Sequence, residues 1–189
     1  MLAHQIRAGA PVDVLVSADT ETVEALVQEH LVHPDDRRRF MSNRLVVIVP
    51  AGRGGNIAEW RTPDDLKNFS RIAVGDPATV PAGAYAKAWL EGAGLWTELS
   101  QRVVPAVDVR AALAAVESGH AEAGVVYRTD ALSSKRARIA FEVPEGSAPA
   151  IAYVAARLTR SQIAASRTFL EFLSGPRARA TFVRHGFVL

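Results

Sequence analysis

Strand-like and helix-like segments alternate along almost the whole chain, and this restricts the fold more than any other feature. Short apolar runs at 12–16, 44–50, 71–74, 103–106, 123–127, 138–143 and 151–156 have the length and β-branched content of strands. The run Leu45, Val46, Val47, Ile48 and Val49 is apolar without alternation, the pattern of a strand covered on both faces. Between these runs, apolar residues recur at helical spacing: Val23, Leu26, Val27 and Leu31, then Tyr85 and Trp89, then Leu113 and Val116. Residues 2–8 read as a helix tail stopped by Gly9, 96–99 as one helical turn, and 129–132 as a short helix. Helix starts are marked by Ser17, Ala18 and Asp19, by Thr62, Pro63, Asp64 and Asp65, by Asp108, and by Ser161. Pro81 or Ala82 opens a helix to about Ala93, and a last helix runs to His185 with Gly186 as its stop. This order predicts an α/β fold with largely parallel sheets.

Composition narrows the function classes. The 189 residues are long enough to bury a core without disulfides or metals, and the chain has no cysteine, which removes thiolate sites and cysteine nucleophiles. Twenty-two cations face 20 anions, a net charge of +2, so there is no concentrated basic face for nucleic acid. The longest stretch without a formal charge, 146–156, is far short of the ~18 residues of a membrane-spanning helix. The opening residues show no signal-peptide pattern, which taken literally reads as cytosolic.

In parallel α/β sheets, ligands bind beyond the carboxyl ends of strands, where helix N-termini offer free N–H groups and a positive dipole end. Two places meet that description. Val80, Pro81, Ala82 and Gly83 open a helix after the 71–74 strand, and Val107, Asp108 and Val109 open one after the 103–106 strand. Other motifs read as scaffold. Gly52, Arg53, Gly54 and Gly55 lack the Gly-Lys-Ser/Thr ending of a phosphate loop and read as a surface loop. Asp35, Asp36, Arg37, Arg38 and Arg39 read as a solvated charged turn after His33 and Pro34. His30 and His33 have no third metal ligand nearby. Asp76 reads as a turn residue, and no nucleophile–base pair or carboxylate dyad is in an enzyme context.

Five motifs in register resemble the periplasmic molybdate-binding proteins of ABC transporters. They are Gly9 to Val14 with Ser17, Ala18 and Asp19; Val74 to Pro77 with Val80 to Gly83 and Tyr85 to Lys87; Asp108 to Leu113; Ala123 to Tyr127; and Phe169 to Leu173 with His185 to Phe187. The resemblance implies a two-lobed type II periplasmic-binding-protein fold of three-layer α/β/α lobes. Lobe 1 would comprise residues 1–43 and 152–189, and lobe 2 residues 44–151. It implies a non-enzymatic receptor that takes molybdate or tungstate between the lobes with neutral donors. Carried over by motif, these are the backbone N–H groups of Ala82 and Val109 and the Tyr127 hydroxyl, with no direct metal-ion ligand and no cofactor.

Further expectations follow from the same resemblance. The partner is an ABC transporter membrane permease, the receptor is a monomer when complete, and the location is the periplasm. The family's signal peptide and two serine-bearing turns have no counterpart here, so the first strands of lobe 1 are expected to be missing. A cytosolic oxyanion-sensing effector domain of a transcriptional regulator, or a non-binding truncated remnant, are the alternatives.

Overall fold

The computed structural model describes residues 2–18, 20–52 and 60–189. The capping role read for Asp19 and most of the glycine-rich loop, Arg53, Gly54 and Gly55 included, lie outside the described residues. The chain divides into two compact units, Met1–Ser42 with Ile151–Leu189, and Asn43–Ala150.

The first unit is built on a three-stranded sheet in the order β1-β8-β2. Its strands are β1 (Val14–Ser17), β2 (Val32–Ser42) and β8 (Ala152–Leu158), and both pairings are antiparallel. Alternation along the strands splits two apolar faces. Leu15, Val154, Ala156 and Leu158 pack with Ile6 of α1 (Leu2–Arg7) and Val23 and Leu26 of α2 (Thr20–Gln28). Val14, Phe40 and Ala155 pack on the other side with Leu170 and Leu173 of α7 (Ala164–Ser174) and Phe182 of α8 (Pro176–Arg184).

Two readings of this unit change. The segment 35–39 is no turn: the strand runs through it, with a register shift between Val32 and Arg37. Pro34 falls inside that irregularity, where a residue without an N–H costs no ladder bond. Nor is Asp36 solvated. It is 9% exposed, and its Oδ2 receives Arg157 Nε at 2.7 Å and Nη2 at 2.6 Å. Burial pushes this carboxyl up, but the Arg157 hydrogen bond and charge, with Arg167 and His33, hold it below the ordinary value of 3.8. Ser161, expected to cap α7, instead bonds Asp13 Oδ1 at 2.7 Å and Ser166 Oγ at 3.2 Å, and Ile163 is the N-cap.

The second unit has a five-stranded sheet ordered β5-β4-β6-β3-β7. Its strands are β3 (Leu45–Pro50), β4 (Ile72–Gly75), β5 (Val103–Ala106), β6 (Ala123–Tyr127) and β7 (Ala137–Glu142). Only β5, β4 and β6 are parallel; β3 runs antiparallel to β6 and β7. The largely parallel expectation therefore holds for three strands and fails elsewhere. An unbroken apolar run reports burial on both faces, and β3 is indeed buried from Leu45 to Val49, but it does not report direction.

Helices cover both faces of this sheet. Val46, Ile48, Ala73 and Val126 pack against Ala112, Leu113 and Val116 of α5 (Val109–Glu117) and Ala131 of α6 (Arg128–Ser133). Residues of the other parity face α3 (Pro81–Gly92), which packs on β4 and β6 and buries Trp89 against Phe141, stacked at 6.1 Å. A short helix α4 (Trp96–Leu99) follows. The start marked by Thr62 and Pro63 opens a 3₁₀ helix, Pro63–Asn68, with Asp65 Oδ2 accepting the Thr62 N–H at 3.1 Å.

Candidate functional site

β5, β4 and β6 are neighbours and parallel, so their carboxyl ends, Ala106, Gly75 and Tyr127, share one edge of the sheet. Each is followed by a helix start, of α5, α3 and α6 respectively. Ala82, Val109 and Tyr127 therefore come together on that edge, within one unit of the protein.

The α3 start is shaped by the turn after β4. The Asp76 N–H donates to the Ala106 carbonyl at 2.8 Å, tying the β4 and β5 ends together, and Asp76 Oδ1 accepts the Ala78 N–H at 2.9 Å. The Asp76 carbonyl accepts from Thr79 and Val80, at 3.1 and 2.8 Å. Asp76 is thus a turn residue by observation. Val80 is the N-cap and has no capping side chain, and Pro81 in the first turn has no N–H to offer. Gly83 and Ala84 N–H groups return to the Val80 carbonyl at 2.9 and 3.0 Å. The first free donor of the helix is then the buried Ala82 N–H, for which no acceptor is found among the described residues.

Gly83 is what brings this helix so near the strand. A Cβ there would stand 1.9 Å from the Gly75 carbonyl oxygen. One on Gly75 would stand 2.6 Å from Val80 Cγ1. The Pro-Ala-Gly spelling is therefore packing as much as helix initiation.

At α5, Asp108 is the N-cap, its Oδ1 accepting the Ala111 N–H at 2.7 Å and its carbonyl accepting Ala112 N–H at 3.2 Å. The N–H groups of Val109 and Arg110 have no acceptor among the described residues. Val107, just before the cap, is 85% exposed. Tyr127 ends β6 and is the N-cap of α6. Asn43 fixes that junction, its Nδ2 donating to Thr129 Oγ1 at 3.0 Å.

One acidic group of this edge escapes the sequence reading. Asp130, third in α6, is raised above the ordinary 3.8 by burial. Arg110 opposes that shift, as do the nearby backbone N–H groups of Tyr127 and Asp130, while Asp108 adds to it.

Chemically, the edge presents main-chain donors at the positive ends of two helices. It suits a ligand made of acceptors, without needing a cationic side chain.

Comparison with known proteins places the chain. It belongs to the bacterial extracellular solute-binding protein family, whose model matches residues 1–188. Among its relatives is the molybdate-binding protein ModA of Escherichia coli K12, 38% identical over 191 aligned residues that cover 100% of this chain and 74% of the relative. A solved substrate-binding domain assigned to a molybdenum ABC transporter of Clostridium difficile is 30% identical. It superposes with a TM-score of 0.87, covering 99% of this chain and 81% of that one. The periplasmic molybdate-binding protein of Azotobacter vinelandii is 25% identical with a TM-score of 0.74, covering 100% of this chain and 83% of that one.

Proposed function

We propose that this chain is the solute-binding component of a molybdate import system, holding molybdate or tungstate with backbone N–H groups and a hydroxyl. The reading rests on one observation: the unclaimed donors of Ala82 and Val109 and the Tyr127 position share the carboxyl edge of three adjacent parallel strands. The names of the relatives, which specify molybdate or molybdenum, support the same ligand.

The chemistry is consistent. A fully deprotonated tetrahedral dianion offers only acceptors, so a shell of donors satisfies it completely. Helix ends supply positive potential while leaving no buried cation behind when the ligand departs. A phosphate that keeps a proton would bury an unpaired donor, at a cost of about 1–3 kcal/mol. Sulfate is fully deprotonated as well, so in this reading the larger size of molybdate is what sets the two apart. In this reading the protein is a transport component and not an enzyme. It needs no cofactor, works in the periplasm as a monomer, and hands its ligand to an ABC transporter membrane permease.

Titration calorimetry with molybdate, tungstate, sulfate and phosphate tests it. Molybdate and tungstate are expected to bind with one site, and sulfate and phosphate far more weakly. No binding of molybdate or tungstate, or equal binding of sulfate, overturns the reading.

A further inference from the structure

Where β6 turns into α6, its ladder with β3 is closed by a side chain. Facing pairs along an antiparallel ladder alternate between exchanging two main-chain bonds and exchanging none. Leu45 faces Tyr127, so the next step sets Arg44 beside Arg128. There only half of the exchange is made. The Arg128 N–H donates to the Arg44 carbonyl at 2.8 Å, but the Arg44 N–H goes to Asn43 Oδ1 at 2.9 Å. The reason lies in α6: Arg128 is its first residue, and the carbonyls of a first turn serve the helix.

Asn43 then uses the other end of its amide. Its Nδ2 donates to Thr129 Oγ1 at 3.0 Å, and the residue is only 5% exposed. An amide carries an acceptor and a donor in one plane, so a single side chain splices the start of β3 to the first turn of α6. Residues 128 and 129 are thus both tied to residues 43 and 44. Tyr127 stands between this splice and the paired strand, as the last residue of β6 and the N-cap of α6. Main chain fixed on both sides of a residue fixes the direction in which its side chain leaves.

On the reading that the Tyr127 hydroxyl donates to the bound oxyanion, we propose that Asn43 is a positioning residue for that hydroxyl. It holds the first turn of α6 against β3, so the Tyr127 ring leaves the β6–α6 junction in one direction. It acts through Arg44 and Thr129, whose bonds engage both ends of its amide.

Molybdate titration and thermal melting of wild type, Asn43→Ala, Tyr127→Phe and the Asn43→Ala/Tyr127→Phe double variant test this. Asn43→Ala is expected to weaken binding roughly tenfold, and the double variant to bind like Tyr127→Phe alone, because changes that act through one contact do not add. Melting separates this from a general loss of stability: Asn43→Ala should lower the melting temperature equally in both backgrounds, since Tyr127→Phe leaves the splice intact. Where Asn43→Ala does not fold, Thr129→Val takes its place. It keeps the Asn43 bond to Arg44 and removes only the hydroxyl that accepts from Nδ2, and its smaller loss of affinity should likewise vanish beside Tyr127→Phe. Undiminished binding by a folded Asn43→Ala protein overturns the proposal, as does a loss by the same factor in both backgrounds. While Tyr127→Phe still weakens binding, either result leaves the reading of Tyr127 as a ligand standing. A Tyr127→Phe protein that binds like wild type overturns that reading, and the proposal with it.

Discussion

Replacing Gly83 with alanine joins packing to binding in a single change. The new Cβ would lie 1.9 Å from the Gly75 carbonyl oxygen, 2.6 Å from its carbon and 2.9 Å from the Asp76 carbonyl carbon. All three are backbone atoms, so no rotamer change relieves the clash. Ordinary nonbonded carbon contacts lie near ~3.5 Å, so helix and strand must part by roughly 1.5 Å. Overpacking of this kind costs about 1–3 kcal/mol, offset by at most ~1 kcal/mol from alanine's better helix propensity. The melting temperature should fall by about 2–10 °C. The same displacement carries the Ala82 N–H with it. A bond of ~2.9 Å stretched by that distance is no longer a bond. Losing one donor to a charged acceptor costs about 1.5–3 kcal/mol, so molybdate should bind roughly ten- to a hundredfold more weakly. Gly92, in the same helix, is the control: its Cβ would meet nothing nearer than 3.9 Å, so Gly92→Ala should be neutral or slightly stabilising. Calorimetric melting and molybdate titration of both variants measure the two effects. A Gly83→Ala protein that melts and binds like wild type refutes the reasoning. One that melts lower but binds equally well removes Ala82 from the site.

Other expectations are more local. Tyr127→Phe should weaken molybdate binding by about 1.5–3 kcal/mol with little change in melting temperature, the loss of one donor to a charged ligand. Asp108→Ala removes the bond to the Ala111 N–H and should destabilise the protein by about 1 kcal/mol in a denaturant melt. Arg157→Ala leaves the buried Asp36 carboxylate without its main partner and should cost about 3–5 kcal/mol in the same assay. Because the folded protein holds Asp36 below 3.8, its stabilisation is present above that pH and is lost as pH falls through the folded value. Melting temperatures along an acid series should therefore fall less steeply for Asp36→Asn than for wild type.

Much of this fold is legible in local patterns. The strand at 123–127 and the Asp108 cap are where the residues place them, because burial on both faces and capping chemistry leave short-range signatures. The antiparallel course of β3 leaves none, since its residues are equally buried in either direction. The charged run 35–39 misleads for a related reason. The partner that buries Asp36 is Arg157, 121 positions away, and no local window contains it. At the candidate site, the helix starts are visible as Pro-Ala-Gly and Asp-Val-Arg spellings. The role of Gly83 in close packing emerges only when β4 and the helix that follows it are seen side by side.

The pairing order of the first unit also sets a schedule for folding. β1 and β2 do not pair with each other; each pairs with β8, which lies between them. On a growing chain both pairings with β8 must wait until residue 158 has been made, while the whole of 43–150 is synthesised in between. That middle stretch is continuous and contains all five strands of its own sheet, so its pairings can close first. The first unit then forms by long-range closure, the slow and aggregation-exposed kind of step.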